Sequence, residues 1–144
     1  MKIRALVRNS PSDHAMVVAT DDVSRDLSIP PRSVGRGSSV NGGELLLAAL
    51  ATCYCNDLFR EAGRLGIVLD EVEVAVSADF PGIGLAAENV RYSARIKSDA
   101  GQDQLSELLA MTDRIAEVHN TIRTGTSVTL QEWGTREDPF GSPL

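Results

Sequence analysis

Apolar positions along the chain recur with two different periods, and the places where the period changes mark the elements. Residues 2–8 (KIRALVR) and 14–20 (HAMVVAT) are strand-like runs separated by Asn9, Ser10, Pro11, Ser12 and Asp13, all turn formers, so a hairpin is predicted to open the chain. A third short strand at about 23–29 is closed by Pro30 and Pro31, and a Gly/Ser-rich loop over 33–43 follows. From 44 to 65 the sequence is rich in Leu and Ala, contains no proline and is followed by Gly66, which predicts a long helix. Alternation then returns: Val72, Val74, Val76 and Ala78 are apolar at period two, as are Val90, Tyr92, Ala94 and Ile96. Their polar neighbours complement each other in sign, Glu71 and Glu73 against Arg95 and Lys97, as in an antiparallel pair with one wet face. Leu105, Leu108, Leu109, Thr112, Ile115 and Ala116 predict a second amphipathic helix, capped near Asp103 and ending around Val118. A last strand is predicted at 126–131, and the tail 132–144 reads as loosely ordered apart from Trp133.

This order of elements predicts an α+β fold with antiparallel sheets and two main helices, built as one domain over 1–131. The loop Gly82 to Ala87 (GIGLAA) resembles a loose dinucleotide fingerprint, but a strand follows it where that fingerprint needs a helix. The 20 acidic and 14 basic side chains give a net charge of -6 with no basic face, which argues against nucleic acid and anionic lipid as partners. The apolar run Leu45 to Ala51 is too short to span a membrane, and the charges of Lys2 and Arg4 do not suit a signal peptide. A cytoplasmic protein with reduced thiols is therefore expected.

Candidate chemistry concentrates on the long helix, which carries both cysteines. At 100° per residue, Cys53 and Cys55 point about 200° apart and cannot bridge without unwinding the helix. Cys55 shares its stripe with Ala48, Ala51, Thr52, Leu58, Phe59 and Ala62 and reads as a packed core residue. Cys53 sits where an apolar stripe (Leu46, Ala49, Leu50) meets a polar one (Asn56, Asp57, Arg60, Glu61, Arg64), so it is the reactive candidate, with Arg60 as a source of positive charge. Apolar residues at every position from 45 to 51 predict burial on all sides, for which packing against a second copy is the simplest solution. Metal binding by Cys53, Cys55, His14 and His119 is not expected, because Cys-x-Cys on a helix diverges and the spacing matches no common zinc pattern. No cofactor is expected, and no nucleophile elbow or placed Ser-His-Asp set appears.

Residues 42–58 (GGELLLAALATCYCNDL) resemble the first cysteine motif of the OsmC/Ohr family, and 116–122 (AEVHNTI) is similar to its second motif, commonly Cys-Pro-Val-His-Asn-Thr-Leu. The resemblance covers about residues 1–131 and implies an OsmC-like fold, an intertwined homodimer with the long helices at its centre, and active sites at the subunit interface. It also implies a thiol peroxidase, in which the first cysteine attacks a peroxide and a second resolves the sulfenic acid as a disulfide. Cys53 aligns with the attacking cysteine; Cys55 has no counterpart, and Ala116 stands where the resolving cysteine belongs. Gly43 takes the place of the Ohr-type glutamate, with Glu44 one residue later, and the Ohr-type arginine falls near Ser12 to His14. His119, just past the second helix, is the residue placed to polarise Cys53 or a ligand, unless it and Asn120 cap that helix. Arg36 and Arg123 are loop arginines that either enter the site or face solvent.

Two functions follow. One is a single-cysteine reductase of small-molecule peroxides with an external resolving thiol. The other is a non-catalytic protein binding a small hydrophobic or thiol-containing molecule at the dimer interface.

Overall fold

A hairpin does open the chain. In the computed structural model, which describes residues 1–130, β1 (Ile3–Asn9) and β2 (His14–Thr20) pair antiparallel, with Val7 opposite Met16 and Ala5 opposite Val18. The turn between them closes with a Ser10 N–H to Asp13 carbonyl bond of 2.8 Å. A second reversal places Asp21 at φ 49°, a left-handed conformation that aspartate tolerates, and the chain returns as β3 (Val23–Asp26). The strand expected to reach 29 stops at Asp26, because Ile29 N–H bonds back to the Leu27 carbonyl in a tight local turn ahead of Pro30. These three strands form one sheet in the order β1-β2-β3 and belong to a unit containing Met1–Asn41 and residues 127–130.

A second unit, Gly42–Thr126, holds the long helix, two further strands and two shorter helices. Helix α1 spans Gly42–Leu65 and ends where Gly66 turns left-handed at φ 70°, with Ile67 N–H bonded to the Ala62 carbonyl at 2.9 Å. Strands β4 (Glu71–Asp79) and β5 (Glu88–Lys97) pair antiparallel as their charges predicted, and the register sets Glu71 opposite Lys97 and Glu73 opposite Arg95. Their inner face, with Val72, Val74, Tyr92, Ala94 and Ile96, packs on Tyr54, Leu58 and Ala62 of α1 and on Leu108 and Ala116. The GIGLAA loop leads into a strand, as the rejection of a nucleotide motif required.

Expectation and structure part at the second helix. It is two helices, α2 (Gln102–Ile115) and α3 (Glu117–Thr124), separated by Ala116 in extended conformation at φ -66°, ψ 104°. The side chain of Asn120 donates to the Arg114 carbonyl at 3.0 Å, satisfying a group that the break would leave open. Helix α2 also starts one residue before the expected cap at Asp103: Gly101 precedes it, and the Gly101 N–H donates to Gln104 Oε1 at 3.3 Å. The predicted strand at 126–131 is not seen over its described residues 126–130, where Val128 and Leu130 are 98% and 99% exposed and have no partner strand. Residue 131 and the predicted tail 132–144 lie outside the described residues. Among the described residues no helix is long and apolar enough to cross a membrane.

The first two turns of α1, expected to be buried on all sides, are not buried within one chain. Leu46 is 38% exposed, Ala48 and Ala49 are exposed, and full burial begins at Leu50.

Candidate functional site

Everything around Cys53 is set by the helical repeat of α1 and by where α3 meets it. Asp57 lies one turn on from Cys53, and its Oδ2 receives the thiol at 3.5 Å. Its other oxygen, Oδ1, receives Arg60 Nη1 at 2.6 Å, so the buried carboxylate is compensated by a half-exposed guanidinium. Arg60 also reaches Glu61 through Nε at 2.8 Å, and Arg64 bonds the same carboxylate at 2.9 and 3.1 Å. From α3, Glu117 Oε2 lies 3.9 Å from Cys53 Sγ. Burial raises the Cys53 pKa above that of an ordinary thiol, the Val118 N–H works against this, and Asp57 and Glu117 add to the rise. Cys53 is thus a half-exposed thiol with proton acceptors beside it.

Behind it is an aromatic and charged cluster. His119 is 4% exposed, its ring 5.6 Å from that of Tyr54 and 4.5 Å from that of Tyr92. The Tyr54 hydroxyl donates to the Leu109 carbonyl at 2.8 Å, while the Tyr92 hydroxyl donates to Asp113, which also receives Arg123. Those two donors hold the Asp113 pKa down, and burial followed by the bond to Asp113 pushes Tyr92 up to about 12. Neither ring nitrogen of His119 has a partner among the described residues. Burial, and then the nearby Arg123 charge, lowers the His119 pKa, against smaller opposite pulls from Asp113 and Asp57.

A pH effect follows with a definite sign. The unfolded chain takes up a proton at His119 near pH 6.5, and the folded chain resists doing so. Its contribution to stability is therefore complete above about pH 6.5 and is lost as the pH falls toward the lowered folded value. Melting temperatures at pH 7 and pH 5 are expected to differ less in His119→Gln than in the wild type; equal differences would refute this.

Not every expected residue meets the site. Arg60 directs its Nε and Nη1 to Glu61 and Asp57 and meets Cys53 by way of the Asp57 carboxylate. His119 is inside α3 and buried among rings, not capping α2; Asn120 does that. Arg123 also belongs to α3, bonded to the Asp113 and Asn120 side chains. Arg36 and His14 line a cavity of about 420 Å³ in the first unit. Cys55 is half-exposed, not packed in the core: the buried stripe of α1 runs through Leu50, Tyr54, Asp57, Leu58, Glu61 and Ala62, leaving Cys55 one step to the side. Cys53, Cys55, His14 and His119 form no ligand group among the described residues. The atoms that do converge are Cys53 Sγ and one oxygen each of Asp57 and Glu117, all within 4.8 Å of one another. The sequence offered a signal for Asp57, at four residues from Cys53, and for Glu117 only its place beside Ala116 in the second motif.

The sequence profile of the OsmC-like protein family matches residues 35–131, two-thirds of the chain and all of the Cys53 site. The chain belongs to the OsmC-like family. No curated protein matches its sequence. Among solved structures, this OsmC-like chain is similar to an OsmC-like protein from Mycoplasma pneumoniae, with TM-score 0.60, 19% identity, and 85% of this chain and 86% of that one covered. It is also similar to an organic hydroperoxide resistance protein OsmC from Legionella pneumophila, with TM-score 0.56, 19% identity and coverage of 85% and 90%. The organic hydroperoxide resistance protein OhrB of Bacillus subtilis matches with TM-score 0.53, 17% identity and coverage of 85% and 91%. At these identities the likeness establishes the mixed α and β fold, with antiparallel sheets and three helices in this OsmC-like chain.

Proposed function

We propose that this OsmC-like protein is a thiol-dependent hydroperoxide reductase that works through Cys53 alone, with an external thiol as resolver. The carrying observation is the half-exposed Cys53 sulfur at the meeting of α1 and α3, with the Asp57 and Glu117 carboxylates beside it. Two structurally similar proteins named for organic hydroperoxide resistance support the choice of substrate. Sulfur bonds to the distal peroxide oxygen, the O–O bond breaks, and the thiol proton goes to the departing alkoxide, giving Cys53 sulfenic acid and an alcohol. With Ala116 at the expected resolver position, a first external thiol displaces water to form a mixed disulfide. A second then releases Cys53 and leaves as the external disulfide. Such reductants suit the cytoplasm, where we place the protein.

The working form in this reading is a homodimer, supported by the exposed apolar first turns of α1. Sedimentation at micromolar concentration showing only single chains would remove the dimer. The raised thiol pKa favours a second reading, a non-catalytic protein that binds a small hydrophobic or thiol-containing molecule. Sulfenic-acid trapping at Cys53 under cumene hydroperoxide separates the two. Trapping faster than for a free thiol supports the reductase, and trapping no faster supports the binder.

A further inference from the structure

The two carboxylates beside Cys53 are not equivalent. Asp57 is buried, and its charge is met by Arg60 at 2.6 Å. Glu117 is exposed, sits 3.9 Å from the sulfur, and makes no ion pair among the described residues. A molecule approaching the half-exposed sulfur from solvent therefore meets a negative charge within contact range, which Arg60 offsets only at longer range while it pairs directly with Asp57 and Glu61. Resting on the reading of Cys53 as the reacting thiol, we infer that Glu117 makes the site selective for uncharged or cationic reactants over anionic ones. The selection acts on both half-reactions. A neutral alkyl hydroperoxide is accepted and a carboxylate-bearing one disfavoured, and a neutral dithiol is preferred to a thiol carrying carboxylates.

Two like unit charges about 4 Å apart repel enough in water to change a rate about fivefold, and partial burial enlarges this. The position of Glu117 sharpens the effect. It directly follows Ala116, where the family resemblance places a resolving cysteine and where the side chain is fully buried, so Glu117 is the solvent-facing residue of that stretch beside the sulfur.

Alkylation tests the charge effect without peroxide chemistry. In a Cys55→Ala background, Cys53 is treated with neutral iodoacetamide and with anionic iodoacetate. Both consume the same thiolate, so the ratio of their rates is insensitive to the thiol pKa. The ratio is expected to exceed that of a small free thiol by about fivefold or more. It should fall toward the free-thiol value in Glu117→Gln, and also in about 1 M salt, where screening acts over about 3 Å. A wild-type ratio equal to the free-thiol value, or one unchanged by Glu117→Gln, overturns the inference. The same proteins are then compared with cumene hydroperoxide and a carboxylate-bearing hydroperoxide. An intact alkylation ratio with no hydroperoxide reaction above the free-thiol rate supports the charge selection and overturns the reductase reading alone.

Discussion

Cys53→Ser is expected to bring thiol-driven hydroperoxide consumption down to the rate without protein, while Cys55→Ala leaves it unchanged. A serine hydroxyl keeps the shape and the contacts to Asp57 and Glu117 but supplies no thiolate, the form in which a cysteine attacks. Cys55 lies about 200° around α1 from Cys53 and shares none of these contacts. The wild-type rate carries a second signature. Burial, Asp57 and Glu117 favour the protonated thiol, and the Val118 N–H offsets only part of this. Consumption should therefore still be rising above about pH 8.5, where an ordinary thiol is half ionised. Activity that survives Cys53→Ser, or a profile already flat at pH 7, would contradict the assignment.

Leu58→Ala is expected to cost about 2–5 kcal/mol of folding stability, measured by urea denaturation at pH 7. Leu58 is fully buried in one core cluster with Tyr54, Ala62, Leu108 and Ala116, against which the inner face of β4 and β5 packs. The cavity left by truncation borders two helices and a sheet, which cannot all close on it together. Against a typical domain stability of about 5–15 kcal/mol, the loss is large. Leu65→Ala, at a half-exposed position near the end of the same helix, provides the comparison and should change stability by less than about 1 kcal/mol. Similar losses for the two substitutions would mean that the core is not centred where the structure puts it.

The first of these expectations was visible in the sequence: helical geometry points Cys53 and Cys55 about 200° apart, and the family resemblance selects Cys53. The second was visible only in part: Leu58 belongs to an apolar stripe, yet the stripe that is buried also contains Asp57 and Glu61. Those carboxylates are tolerated there because Arg60 and Arg64 lie within reach on the next positions of the helix. No apolar periodicity identifies such positions.

What the sequence by itself determined was local or alternating: β2 over 14–20, the long helix closed by Gly66, and the antiparallel pairing of β4 with β5. Period and sign are properties of neighbouring positions, and they survive folding. The tertiary structure decided the rest. Ala116 lies in a helix-favouring run, and the break there leaves its side chain fully buried, with Asn120 closing the open carbonyl of Arg114. Residues 126–130 alternate like a strand but have no partner edge among the described residues, so alternation alone does not make them one. Glu117 is 64 residues from Cys53 along the chain, and only the return of α3 to α1 sets its charge beside the sulfur. A sequence pattern specifies which face an element buries; which distant charge meets a given atom depends on how those faces pack.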